Sequence, residues 1–161
     1  MKRSPLKRTT PLKRKKSFKT IRRDPLDELF SELIRKRAIG RVGGCERCLT
    51  PKRDIVKENG EILPAWRQLQ CVHFNGRARK SVRCDEDNAI GGCSGCHTFL
   101  DSQATDKVEF FKSYLGEEKY NLLQSRMRIT YPKPDRKAIE LYLRTKINDM
   151  ETIDGNKPNG D

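Results

Sequence analysis

Residues 70–101 read QCVHFNGRARKSVRCDEDNAIGGCSGCHTFLD. This stretch holds both histidines of the chain, His73 and His97, and four of its six cysteines, Cys71, Cys84, Cys93 and Cys96. The other two, Cys45 and Cys48, form a C-x-x-C just upstream, and Cys93 and Cys96 form a second. A C-x-x-C in a tight turn presents two thiolates to one metal. Two such turns supply the four ligands of a closed tetrahedral zinc site. Such a site contributes on the order of 10 kcal/mol to folding, enough to staple a small core. Gly91, Gly92 and Gly95 are expected to let the second turn approach the metal closely.

The composition fits a stapled fold. Hydrophobic residues make up 34% of the 161 and charged residues 35%, which is little core material for the length. Six cysteines arranged as two C-x-x-C pairs and two singles suit metal binding better than a disulfide framework. No apolar run approaches a membrane span and the N-terminus carries no apolar leader. These features point to a soluble intracellular protein.

The net charge of +13 is uneven. Of the 35 basic residues, eleven lie in residues 1–23, which hold no acidic residue; the remaining 24 nearly cancel the 22 acids. Repeated Pro-Leu-Lys-Arg at 5–8 and 11–14 and charge repulsion oppose a helix there. Residues 1–23 are therefore expected to be a disordered basic arm. Lys13, Arg14, Lys15 and Lys16 are its densest candidate phosphate contacts. A solubility or targeting tail is the plainer reading of the same charge.

Residues 25–38 predict an amphipathic helix capped by Asp24, with Leu26, Leu29, Phe30, Leu33 and Ile34 inward. Arg35 and Arg37 are expected on its solvated face. Asn59-Gly60 in DIVKENGEIL, residues 54–63, signals a tight two-residue hairpin, and Trp66 is expected to pack. Residues 69–74 read as a strand bearing His73, with a turn at Asn75-Gly76. Residues 77–83 should form a basic loop and the returning strand, with Arg77, Arg79, Lys80 and Arg83 as candidate DNA contacts. A helix is predicted from Cys93 to about Ser102. Three more follow at 105–115, 117–128 and 135–150, with a break at 130–134 and Ile139, Tyr142, Leu143 and Ile147 inward in the last. Residues 24–150 form one expected domain with its core at 45–103, and 151–161 an expected disordered tail.

The order C-x-x-C, His, Asn, C-x-x-C-His resembles that of the HNH endonucleases, the ββα-metal or His-Me-finger group. Here it is Cys45/Cys48, His73, Asn88, Cys93/Cys96 and His97, carried by the phrases LQCVHF, DEDNA and CSGCH. The match covers residues 45–101, and the flanks look like those of small phage-encoded members. Phage recombination proteins of the NinG (Rap) type look like a more distant relative. They usually lack the histidine that here follows the second pair.

The resemblance implies an α+β fold: a zinc-stabilised treble-clef ββα-metal core flanked by α-helices. It implies a DNA endonuclease with His73 as general base, Asn88 orienting it and His97 binding a catalytic divalent ion. Some members place another ligand four residues after that histidine, which here is Asp101. An oxygen ligand leans the site towards Mg²⁺ or Mn²⁺, with Ni²⁺ a further choice. The implied setting is phage DNA processing or recombination in the host cytoplasm, on duplex or branched DNA. A homodimer or other phage DNA-processing proteins are the expected partners. One departure stands out: many members have His or Asp just before the base, and here that residue is Val72. Cys71 shares the strand face of His73, and Cys84 reads as packing. The rival reading is a non-enzymatic zinc-finger protein that binds DNA or RNA. It would bury His97 or turn it to the cysteines, whereas the nuclease would open both imidazoles into a separate cleft.

Overall fold

The computed structural model describes residues 24–129 and 134–155. The arm with Lys13, Arg14, Lys15 and Lys16, most of the break at 130–134 and the last six residues lie outside the described residues. Among the described residues, five α-helices and two small two-stranded sheets make up the mixed fold.

Helix α1 spans Pro25–Val42. Asp24 caps it, its carboxylate accepting from the Leu26 amide at 3.1 Å. Arg136 forks onto the same carboxylate at 2.7 and 3.0 Å and holds its acid well down, at about 2. The helix ends at Gly43, whose φ of 65° is the left-handed cap that glycine adopts without strain. It therefore runs a turn beyond the expected stop.

Strands β1 (Ile55–Val56) and β2 (Ile62–Leu63) pair antiparallel, as the Asn59-Gly60 signal requires. Their connection is residues 57–61, not a two-residue turn. Lys57 and Glu61 close it through the amide of Lys57 and a side-chain ion pair at 2.9 Å.

Strands β3 (Gln70–His73) and β4 (Ala89–Gly92) form the central sheet, with Val72 opposite Ile90 and His73 opposite Ala89. The returning strand is thus β4. Residues 77–83 instead carry a short 3-10 turn at Lys80–Val82. Strand alternation splits the sheet into two faces. Val72 and Ile90 pack on Leu100, Phe111 and Tyr120. The opposite face meets Phe30, Leu33 and Ile34 of α1. Gly91 is required there: a Cβ would collide with the Ala38 side chain of α1. At Gly92 a Cβ would come within 2.8 Å of Val72. These two glycines serve helix and sheet packing; Gly95 has open space around it. Close approach to a metal is not what they provide.

Helices α2 (Ser94–Ser102), α3 (Ala104–Leu115) and α4 (Glu117–Arg128) cover one face of the sheet. Helix α5 (Arg136–Gly155) lies across α1, burying Leu143 and Ile147 against Phe30, Leu33 and Ile34. It runs past the expected end at 150. Tyr142, expected inward, is 47% exposed and donates to Glu86 at 2.6 Å. Arg37 reverses its expectation: it is 6% exposed and donates to the carbonyls of Glu86 and Ala89 at 2.9 and 2.6 Å. No helix among the described residues is long and apolar enough to cross a membrane.

Candidate functional site

The two C-x-x-C turns meet. Sulfurs of Cys45, Cys48, Cys93 and Cys96 all lie within 4.8 Å of one another. Cys48 and Cys93 are 3.9 Å apart. Tetrahedral thiolates at zinc-like bond lengths sit about 3.8 Å apart, so this group could hold a metal ion such as zinc. Donors surround three of the sulfurs. The Cys93 amide donates to Cys45 at 3.3 Å, Arg47 to Cys96 at 3.6 Å, and the Thr50 hydroxyl lies 3.0 Å from Cys48. That Thr50 contact lowers the Cys48 thiol to about 6, whereas burial pushes Cys96 up to about 12. Four such sulfurs cannot all ionise side by side without a cation among them.

The turn's inner residue, Glu46, is buried. Its carboxylate accepts from the Gly91 amide at 2.7 Å and the Tyr114 hydroxyl at 2.6 Å, with Arg37 3.7 Å away. The first cysteine turn is thereby tied to β4, α1 and α3 at once. Leu49 pays for the turn: its φ of 57° is left-handed for a side chain that is 64% exposed.

His97 is not part of the thiol group. Its Nε2 lies 3.1 Å from Asp101 Oδ2, one helical turn on. Its Nδ1 lies 2.6 Å from Gln70 Oε1. Gln70 stands opposite Gly92 in the sheet, which brings its side chain to the first turn of α2. An amide oxygen can only accept, so Nδ1 donates to Gln70 and Nε2 is the nitrogen turned to Asp101. Asp101 Oδ1 meets Lys107 at 2.9 Å. Burial raises this carboxyl, but the hydrogen bond and charge of Lys107 bring it below its ordinary value.

His73 opens into the same cleft, a cavity of about 520 Å³ lined also by Asp27, Arg77, His97, Asp101 and Lys107. Burial lowers its pKa, with the charge of Arg77 adding, so the ring is neutral near pH 7. Its Nε2 is buried without a hydrogen-bond partner among the described residues, and the Arg83 backbone partly offsets the lowering. Nδ1 points towards Cys71, 3.9 Å away. Burial pushes the Cys71 thiol up to about 12, so it offers no thiolate. Cys84, pushed up to about 11 by burial, packs against the α1 cluster. Val72, immediately before His73, is wholly buried on the opposite face of the strand.

The Asn88 side chain bonds the loop backbone and not the imidazole. Fully buried, it accepts from the Asn75 amide at 2.8 Å and donates to the carbonyls of Asn75 and Val82 at 2.9 Å. It pins the two ends of the 75–82 loop, and so places Arg83, the backbone neighbour of His73.

The basic loop divides. Arg77 stands on the cleft rim, 63% exposed and 3.6 Å from Asp27. Arg79 and Lys80 are exposed. Arg83 is engaged by Asp27 at 2.6 and 2.7 Å, an intramolecular clamp that occupies its guanidinium fork. Trp66 packs half-buried beneath Arg35, Lys36 and Arg67.

Gln70, Lys107 and Glu46 escape sequence reasoning. Only the strand register could have pointed to Gln70, and no local spacing marks the other two. Fold and site together define a chain with a four-thiol cluster that could hold a metal and a separate histidine–carboxylate cleft. Compared with protein families, curated proteins and solved structures, the chain matches none.

Proposed function

We propose that this chain is a metal-dependent DNA endonuclease of the HNH type, built on a treble-clef ββα-metal core with a structural zinc at Cys45, Cys48, Cys93 and Cys96. One observation carries the reading: His73 and His97, on different elements, open into one cleft outside the thiol cluster. A zinc-finger binder has no use for that arrangement.

His97 Nε2 and Asp101 Oδ2 would hold the catalytic divalent ion. Their 3.1 Å separation matches two adjacent octahedral ligands, which sit about 3 Å apart at Mg²⁺-like bond lengths. Bound there, such an ion would supply Lewis acidity and positive charge at the phosphoryl oxygen. His73, neutral near pH 7, takes the proton of the attacking water at Nδ1. The water oxygen forms the new P–O bond, the bond to the leaving sugar oxygen breaks, and a solvent water supplies the proton which that oxygen takes up. Arg77 on the rim is placed to grip a phosphate. With Val72 facing the core, His97 and Asp101 are the residues that would hold the ion. The substrate is duplex or branched DNA, in phage DNA processing or recombination.

Nicking of supercoiled plasmid with Mg²⁺, Mn²⁺ or Ni²⁺ tests this. Zinc-loaded wild type should nick and His73→Ala should not. If folded wild type cuts neither plasmid nor branched junctions, the enzyme reading falls and the nucleic-acid binder takes its place.

A further inference from the structure

Lys107 occupies an odd position. It lies in the first turn of α3, where the helix dipole disfavours a cation and where Asp106 is the residue the helix wants. Its side chain is only 16% exposed. It lines the cleft that holds His73 and His97. Its ammonium bonds Asp101 Oδ1 at 2.9 Å, while Asp101 Oδ2 faces His97. An ammonium has three donors, and Asp101 takes one. Its charge is felt at His73, across the cleft. Helix formation accounts for none of this.

We propose that Lys107 is a catalytic residue of this cleft, binding a non-bridging oxygen of the scissile phosphate with its remaining donors while one donor steadies Asp101. The proposal rests on the nuclease reading above. The two oxygens of Asp101 then serve two positive groups, Lys107 on one and the ion site with His97 on the other. A phosphate drawn to that ion site comes up against the ammonium on the cleft wall. Arg77 faces it from the exposed rim, so the phosphate is held from two sides. Negative charge grows on the non-bridging oxygens as water attacks, and a fixed ammonium in a part-buried cleft stabilises that charge more than it stabilises the ground state.

This role differs from a structural one in its effect on the ion site. Lys107 competes electrostatically with a divalent ion for Asp101. Removing it should therefore tighten the ion while slowing the chemistry.

The experiment compares zinc-loaded wild type, Lys107→Met and Lys107→Arg. Methionine keeps most of the apolar stem and arginine keeps the charge. Cleavage of a duplex oligonucleotide gives kcat and KM, and calorimetric titration with Mn²⁺ in the absence of DNA gives the ion affinity. Lys107→Met should lose on the order of 100-fold in kcat with a smaller change in KM. It should bind Mn²⁺ at least as tightly as wild type, and Lys107→Arg should recover part of the rate. A Lys107→Met that cuts at the wild-type rate overturns the proposal and leaves the nuclease reading intact. So does weaker Mn²⁺ binding with a rate restored by excess Mn²⁺, which would make Lys107 only a support for Asp101. Wild type that cuts no DNA removes the nuclease reading itself, and this role with it.

Discussion

Replacing Asn88 with aspartate exchanges one NH₂ for an oxygen in a wholly buried side chain. The acceptor for the Asn75 amide survives. The two donors, to the carbonyls of Asn75 and Val82, are lost, and an oxygen faces each carbonyl instead. Two buried acceptors without partners cost about 1–3 kcal/mol each. The new carboxyl has the alternative of staying protonated. Burial of this kind raises a carboxyl by roughly 2–3 pH units, equivalent to about 3–4 kcal/mol when the medium forces ionisation. The sign follows from linkage. A raised acid is least harmful below its unfolded value, and its penalty grows as pH rises towards its folded value. The penalty builds between about pH 4 and pH 7, so Asn88→Asp should lose about 3–5 kcal/mol at pH 8 and distinctly less at about pH 5. Urea unfolding of the metal-loaded protein at both pH values measures this. Cleavage should fall with stability, because the loop that Asn88 pins leads into the Arg83 backbone beside His73. A variant within about 1 kcal/mol of wild type, or equally weakened at both pH values, would refute the pinning argument.

Three further perturbations test other parts of the molecule. Gln70→Ala frees the His97 tautomer and should weaken Mn²⁺ binding in the cleft about 10–100-fold, measured calorimetrically without DNA; unchanged affinity would remove Gln70 from the site. Leu49→Gly relieves the left-handed residue of the first cysteine turn and should stabilise the metal-loaded fold by about 0.5–1 kcal/mol, whereas β-branched Leu49→Val should destabilise it; thermal melts decide. Asp24 is held at about 2 by Arg136, so its ion pair contributes above the ordinary carboxylate range and is lost as pH falls towards 2. Melting curves of wild type and Asp24→Asn should differ most above about pH 5 and converge on acidification; a constant gap would assign the effect to something other than the charge.

The sequence by itself carries the local half of this protein. The apolar spacing of Leu26, Phe30, Leu33 and Ile34, the cap at Asp24 and the Asn59-Gly60 turn specify elements within a few residues, because helix and strand periods are short-range properties. The two C-x-x-C turns are equally local, and they meet as ligands for one metal would have to. What the sequence could not determine is which polar groups lose water and who then pairs with them. Arg37 reads as surface and is buried by Glu86 and Ala89. Glu46 reads as the spacer of a metal turn and becomes a buried hub for Gly91 and Tyr114. Arg83 reads as a DNA contact and is held by Asp27. Gln70 and Lys107 join His97 and Asp101 only through strand register and the packing of α3. Burial and charge pairing act through space between residues far apart in the chain. Periodicity and spacing act along it, which is why the cysteine and histidine pattern was legible and the groups packed around it were not.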